Sequence, residues 1–161
     1  MRPAIVILHA PAMATARQIQ AELTAEIHAP DGIDGADAHF SGLAGHLRGL
    51  FLEGRPIVAV MAAGALIRIL APSLSDKRSE PPVLAVSEDR CSIVPLLGGH
   101  RGANDMARRL AGALHGHAAV TTAGAHPFST GPDQCLVHNG SLSNHNAVRR
   151  ELRRAGMTFE T

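Results

Sequence analysis

The chain has almost no aromatic residues, with four Phe, no Trp and no Tyr among 161 residues. A surface that stacks nucleic-acid bases needs exposed aromatic faces, so this composition argues against such a function. The charges nearly cancel, since 15 Lys and Arg face 14 Asp and Glu and leave a net charge of +1. A protein with this charge balance lacks the strong positive electrostatic field that attracts nucleic-acid phosphates. We therefore expect no nucleic acid among its partners.

Cysteines and long apolar runs are also scarce. Cys91 and Cys135 are the two cysteines, too few for a disulfide framework or a four-cysteine metal site. The histidines are scattered, and His115 and His117 are two positions apart and share no helix face. We expect no bound metal and no cofactor. No apolar run approaches the ~20 residues of a membrane helix, and the short run at 5–8 is no signal peptide, so we expect a cytoplasmic protein without a membrane partner.

Hydrophobic residues nevertheless make up 45% of the chain, enough for an ordinary core. Short apolar runs alternate with stretches of helical period. The runs predict strands at 4–8, 26–29, 56–61, 83–86, 92–97 and 118–122, and the periodic stretches predict helices at 12–25, 41–53, 64–70 and 103–114, with Ser41 as a helix cap. This alternation predicts an α/β fold: a doubly wound, mostly parallel sheet with helices on both faces. Ligands of such sheets bind outside the carboxyl ends of the strands.

The clearest local motif joins a strand to a helix through three glycines, Gly98, Gly99 and Gly102. Glycines allow the backbone to approach a ligand, and the N–H groups of a helix start attract anionic oxygens. His100 lies between these glycines and is a candidate general base. Asn104 could face the ligand or cap the helix. A tight turn with a surface histidine explains the same residues equally well.

Two further motifs follow predicted strands. Gly64 opens a helix directly after a buried strand, and Arg68, one turn later, could pair with a carboxylate. A solvated arginine beside a packing glycine is the alternative. Thr121 and Thr122 end the last predicted strand and could donate hydrogen bonds to a ligand, or form a turn.

In these segments the chain resembles a known family. The stretches MAAGALIR, APSLSDKRSEPP, LLGGHRGAND and TTA, in this order, resemble the N-terminal domain of the cobalamin-biosynthesis protein G family, the cobalt-precorrin-5A hydrolases. The resemblance covers about residues 2–123. A similar domain is the N-terminal extension of some precorrin-3B C-17 methyltransferases.

That resemblance implies a function in corrin biosynthesis. The hydrolases open a lactone on a corrin precursor and release a two-carbon aldehyde, and their substrate carries many carboxylates. It implies that a corrinoid or precorrin is the ligand and that His100 is the base or orients the reacting groups. Gly64, Arg68, Gly98, Gly99, Gly102, Asn104, Thr121 and Thr122 are then the substrate-binding residues. The methyltransferase, or a further C-terminal hydrolase domain, would be the protein partner.

Residues 126–161 resemble a different family. Their VHNGSLSN stretch is similar to an internal piece of class II glutamine amidotransferases, whose oxyanion motif corresponds to Asn139 and Gly140. The nucleophile of that family is a mature N-terminal cysteine, whereas this chain starts with Met1, and Cys135 lies inside a strand-like run. We expect this segment to be an incomplete, catalytically silent fragment.

Two domains are therefore predicted, at 1–123 and 124–161, the second a short hairpin followed by a helix. The leading hypothesis is a corrin-biosynthesis domain that binds a polycarboxylate precorrin and hydrolyses its lactone. The alternatives are a non-catalytic extension of the methyltransferase and a remnant of a glutamine amidotransferase.

Overall fold

The computed structural model describes residues 1–120 and, further along, the backbone of two short strands. The chain divides into two units, Met1–Val120 and Thr121–Thr161. The strands of the first unit are β1 (Ala4–Val6), β2 (Glu26–Pro30), β3 (Ala38–Phe40), β4 (Ile57–Val60), β5 (Val83–Val86), β6 (Ser92–Leu97) and β7 (His117–Ala118). Its helices are α1 (Met13–Leu23), α2 (Leu43–Leu52), α3 (Ala63–Leu70) and α4 (Ala103–Leu114).

The seven strands form one sheet in the order β3-β2-β1-β4-β5-β6-β7. The first five strands in this order are parallel to one another. β6 pairs antiparallel with β5, and β7 runs parallel to β6. The predicted α/β class and the mostly parallel sheet are confirmed.

Because β6 runs opposite to β5, it starts at the end of the sheet where β5 finishes. Val86, the last residue of β5, lies opposite Ile93, and Val83, its first residue, lies opposite Leu97. We call the end of the sheet where β1 to β5 finish the carboxyl edge, and the end where they start the amino edge. Because β6 runs backwards, the loop that follows Leu97 lies at the amino edge.

Helices cover both faces, as predicted. Successive side chains of a strand point to opposite faces, so Ile5 packs in the cluster beneath α1 and α4, while Ala4 and Val6 pack in the cluster beneath α2 and α3. Leu66 and Leu70 anchor α3 and are fully buried. Each such leucine contributes about 1.5–3 kcal/mol to folding through its burial.

Three details differ from the sequence prediction. Ser41 does not cap α2, because the cap position is Gly42 and no side chain bonds there. β7 is shorter than the strand predicted at 118–122, and it starts at His117. The short strand β3 was not predicted, since it has a single large apolar residue, Phe40, and forms by pairing with β2.

In the second unit the structure describes an antiparallel pair, β8 (Phe128–Gly131) and β9 (Gln134–Leu136). The helix predicted after the hairpin lies outside the described residues, and the boundary at 123/124 stays a prediction. Among the helices of residues 1–120, none has the length and apolar composition needed to cross a membrane.

Candidate functional site

The structure separates the predicted site residues into two groups. Gly64 is the second residue of α3, which starts just past the end of β4 at the carboxyl edge. The glycine loop with His100 follows β6 and lies at the amino edge. The structure therefore does not bring the two glycine loops together, because they lie at opposite edges of the sheet. The apolar run at 92–97 predicts the strand β6 but not its direction.

A cavity of about 390 Å³ lies at the carboxyl edge. It is where a ligand is expected in a sheet of this kind. Its walls come from the ends of β4 and β5, the start of α3 and the start of β6, through Met61, Ala62, Ala63, Ala85, Ser87, Glu88, Ser92 and Val94. The walls are mostly apolar, with a few polar groups, which is the usual character of a small-molecule site.

The start of α3 supplies hydrogen-bond donors beside this cavity. Ala62 precedes the helix without a side-chain cap, and its carbonyl accepts the N–H groups of Ala65 and Leu66. Within residues 1–120, no backbone carbonyl accepts the N–H groups of Ala63 and Gly64. Such free donors at a helix start favour negatively charged oxygens.

Arg68 folds back toward the same helix start. Its Nη1 donates to the carbonyl oxygen of Gly64 at 3.2 Å, and the side chain is exposed. The structure thus brings Gly64 and Arg68, one helical turn apart, into contact. The guanidinium lies against the residue that follows the cavity-lining Ala63, and four further N–H donors remain for a carboxylate.

Two residues at the carboxyl edge were missed by sequence analysis. His9 follows β1 and Glu88 follows β5, and His9 Nε2 lies 2.8 Å from Glu88 Oε1. Because β4 lies between β1 and β5 in the sheet, this contact passes over the end of β4. A polar residue within three positions of the end of a buried strand is the feature that could have identified each of them.

The turn around Glu88 is held by its neighbours. Ser87 Oγ donates to the Asp89 carboxylate, which also accepts the N–H of Cys91 at 2.9 Å. These two bonds hold the pKa of Asp89 below its usual value, in that order of importance. The Ser92 N–H bonds to Ser87 Oγ at 2.9 Å. The turn is thereby fixed around the residue that enters the cavity.

The amino edge is packed differently. Gly98 has φ +70°, and a Cβ there would lie 2.5 Å from the carbonyl oxygen of Pro81. Arg101 donates from Nη1 to the carbonyl oxygen of Ser79 at 2.9 Å. These contacts fasten the Gly98–Gly102 loop to the loop before β5, which carries the exposed Lys77 and Arg78.

The remaining residues of the glycine loop stay close to α4. Gly102 has φ +95° and occupies the cap position, where no side chain bonds. Asn104 lies in the first turn, and a Cβ on Gly99 would be 3.8 Å from its Nδ2. His100 is exposed, and no hydrogen bond joins its ring to any other residue in the described part of the chain. Its role as a base stays a prediction.

Four predicted residues lie outside the described residues. They are Thr121 and Thr122 of the last predicted strand and Asn139 and Gly140 of the oxyanion motif. No group of three or more potential ligands in the part of the chain that the structure describes could hold a metal ion.

A histidine pair joins β2 to α2, away from the cavity: His28 of β2 is buried, and His46 of α2 is half-buried. His28 Nδ1 and His46 Nε2 are 2.9 Å apart, and His46 stacks on Phe40 at 4.7 Å between ring centres. Burial, assisted by the nearby Arg55 guanidinium, lowers the pKa of His28 to about 4. Burial also lowers the pKa of His46. Arg55 bonds to Glu26 and holds the pKa of that carboxyl below its usual value.

The fold and the cavity define the protein as an α/β domain with a candidate small-molecule site at the carboxyl ends of its central strands. Comparison with known families agrees, since the model described as "Cobalamin synthesis G N-terminal" matches residues 45–125. The chain belongs to this family.

Curated relatives carry related names. The chain is similar to cobalt-precorrin-5A hydrolases of Priestia megaterium (35% identity over 78 residues, 48% of this chain and 21% of that protein) and Salmonella typhimurium (37% over 83 residues, 51% and 24%). A stretch of 43 residues is 81% identical to the glutamine amidotransferase-like protein GlxB of Rhizobium meliloti, covering 27% of this chain and 14% of that protein. The chain spans less than a quarter of the length of each of these relatives.

Among solved structures, the fold is similar to that of a cobalamin biosynthesis protein G homolog from Sulfolobus solfataricus. The TM-score is 0.56 at 22% identity, over 74% of this chain and 36% of that one. This comparison supports the fold. Both resemblances stated from the sequence, to the cobalamin family and to glutamine amidotransferases, are confirmed.

Proposed function

We propose that residues 1–120 bind a carboxylate-bearing precorrin at the carboxyl edge and take part in hydrolysis of its lactone. Membership of the family and the names of the two hydrolase relatives support this proposal. The observation that carries it is the cavity at the start of α3, the helix on which Arg68 folds back to Gly64.

The chemistry of the cavity matches such a ligand. A precorrin has an apolar ring periphery with carboxylate side chains, and the cavity offers apolar walls from Met61, Ala85 and Val94. A carboxylate at the rim would meet the Arg68 guanidinium, and a hydrogen bond to a charged group is worth about 1.5–3 kcal/mol. The net charge of +1 supplies no general attraction, so recognition depends on local donors of this kind.

The test is a titration of the whole chain with cobalt-precorrin-5A at low and high salt. We expect Arg68→Ala to weaken binding by about 10-fold or more, the lower end of a charged hydrogen bond. Raising the salt should weaken wild-type binding, because the rim is exposed and screened. The matched control is Arg78→Ala, which removes an exposed arginine from the amino edge. Equal affinities for wild type and Arg68→Ala would refute the carboxyl-edge site.

Binding without hydrolysis would favour the alternative, a non-catalytic extension of a precorrin-3B C-17 methyltransferase. The two functions differ in product. A hydrolase releases a two-carbon aldehyde from the bound lactone, whereas an extension returns its ligand unchanged. Aldehyde assay of the same titration samples distinguishes them.

A second candidate function rests on the 43 residues that are 81% identical to the amidotransferase-like relative. We propose that residues 126–161 carry the Asn139–Gly140 oxyanion motif of such an amidotransferase and that Cys135 is not its nucleophile, because the family's mechanism uses the α-amino group of the nucleophile itself as the base. Release of glutamate and ammonia that is lost in Cys135→Ser would contradict this.

A further inference from the structure

The carboxyl edge also holds a carboxylate, that of Glu88. Glu88 lines the cavity, and its side chain is 65% exposed, so water reaches it. One of its oxygens, Oε1, is 2.8 Å from His9 Nε2. The other is available to the cavity. A carboxylate that is held on one side and open on the other has the arrangement of a general base.

The state of His9 decides which partner is the base. His9 Nδ1 is enclosed and has no hydrogen-bond partner among the described residues. A carboxylate only accepts hydrogen bonds, so Nε2–H donates a hydrogen bond to Glu88 Oε1. Nδ1 is enclosed, so it does not reach water in the cavity. His9 therefore orients Glu88, and the proton acceptor is the carboxylate.

We propose that Glu88 is the general base of this domain, positioned by His9, and that it activates water against a cyclic ester in the carboxyl-edge cavity. This inference rests on the proposed function for its natural substrate. It assigns the base to a residue at the opposite edge from His100. The N–H groups of Ala63 and Gly64, at the start of α3, are the donors available to the developing oxyanion.

The reaction balances with water as the one co-reactant. Glu88 takes a proton from water, whose oxygen forms a bond to the carbonyl carbon of the lactone. The carbonyl electron pair moves to its oxygen and returns as the ring C–O bond breaks. Glu88 then gives its proton to the leaving alkoxide. The products are an alcohol and a carboxylic acid, which ionises and releases one proton.

Dihydrocoumarin, a small lactone, tests the base without requiring corrinoid recognition. We expect the whole chain to hydrolyse it and Glu88→Gln to lower the rate by about 100-fold or more, the usual contribution of a general base. The matched control is Glu53→Gln, an exposed carboxylate at the end of α2, whose rate should stay that of wild type. Thermal melting confirms that each variant is folded.

Positioning by His9 has its own readout. We expect His9→Ala to lower the rate and His9→Gln, which keeps an N–H donor near the position of Nε2, to restore most of it. A purely structural role for the imidazole would give no such rescue. Failure of His9→Gln to recover activity in a folded protein would refute the positioning role.

The outcomes separate this inference from the proposed function. A rate for Glu88→Gln equal to that of wild type, including no hydrolysis by either, overturns the assignment of the base even where cobalt-precorrin-5A binds. Glu88-dependent hydrolysis of dihydrocoumarin supports the assignment, and absence of corrinoid binding then overturns the proposed ligand alone.

Discussion

The two edges of the sheet carry loops of similar composition that the structure uses in opposite ways. At the carboxyl edge, the small residues Ala62 and Ala63 at the start of α3 leave space, and a cavity forms with Glu88 on its wall. At the amino edge, Gly98 is small because the backbone at Pro81 fills the space that a side chain would need. A glycine near the end of a strand thus indicates that other atoms approach the backbone closely. Only the fold shows whether those atoms belong to a ligand or to the chain itself.

Gly98→Ala is the variant with the largest expected effect. A Cβ there meets backbone at 2.5 Å, and φ +70° is strained for alanine. We expect a loss of unfolding free energy on the order of 3 kcal/mol, measured by urea unfolding.

Gly64→Ala is the matched variant at the carboxyl edge. Its nearest neighbour would be the flexible tip of Arg68, at 3.3 Å. Since alanine favours a helix over glycine by up to about 1 kcal/mol, we expect no loss of stability. Similar losses at both glycines would break the contrast between the edges.

We expect the loss of stability at acidic pH to come from a group at neither edge of the sheet. The pKa of His28 is about 4 in the folded protein, below the 6.5 of an unperturbed histidine. Above pH 6.5 both states are neutral, so stability does not depend on this group. As the pH falls from 6.5 to 4, the unfolded chain binds the proton first and stability declines, by up to about 3 kcal/mol.

His28→Leu should remove most of this decline, and His39→Gln, at an exposed histidine of β3, should not. Urea unfolding at pH 7 and pH 4.5 gives the comparison. A decline in stability that persists in His28→Leu would assign the pH dependence to another titratable group, at an edge or elsewhere.

His100→Ala tests whether the amino edge takes part in the chemistry. Its ring is exposed and forms no hydrogen bond within residues 1–120, so we expect the melting temperature to fall by less than about 5 °C, on the order of 1 kcal/mol. We expect corrinoid turnover to fall less than in Glu88→Gln. An equal fall would return the base to His100 and remove the distinction between the edges.

Much of the fold could be predicted because its elements differ in period. Continuous apolar runs identify β4 and β5 as buried strands, and α4 occupies 103–114 as its helical spacing predicts. β3 could not be predicted, because three residues have no period and this strand depends on β2. The direction of β6 could have been inferred, because only five residues separate it from β5 and a crossover between parallel strands needs more.

The candidate site was less accessible to sequence analysis. Gly64 and Arg68 are four residues apart on one helix, so local spacing is enough to predict their contact. His9 and Glu88 are 79 positions apart, and their contact depends on the order of β1, β4 and β5 in the sheet. No pattern along the chain contains that order.

The reversal of β6 also bears on how the sheet assembles. Pairing β5 with β6 closes a turn of five residues, whereas pairing β1 with β4 closes about ten times as many. Closure entropy grows with the logarithm of loop length, so the hairpin forms at a cost lower by about 2 kcal/mol. We expect the β5–β6 hairpin to be a local nucleus, onto which the parallel strands are added in a slower and more cooperative step.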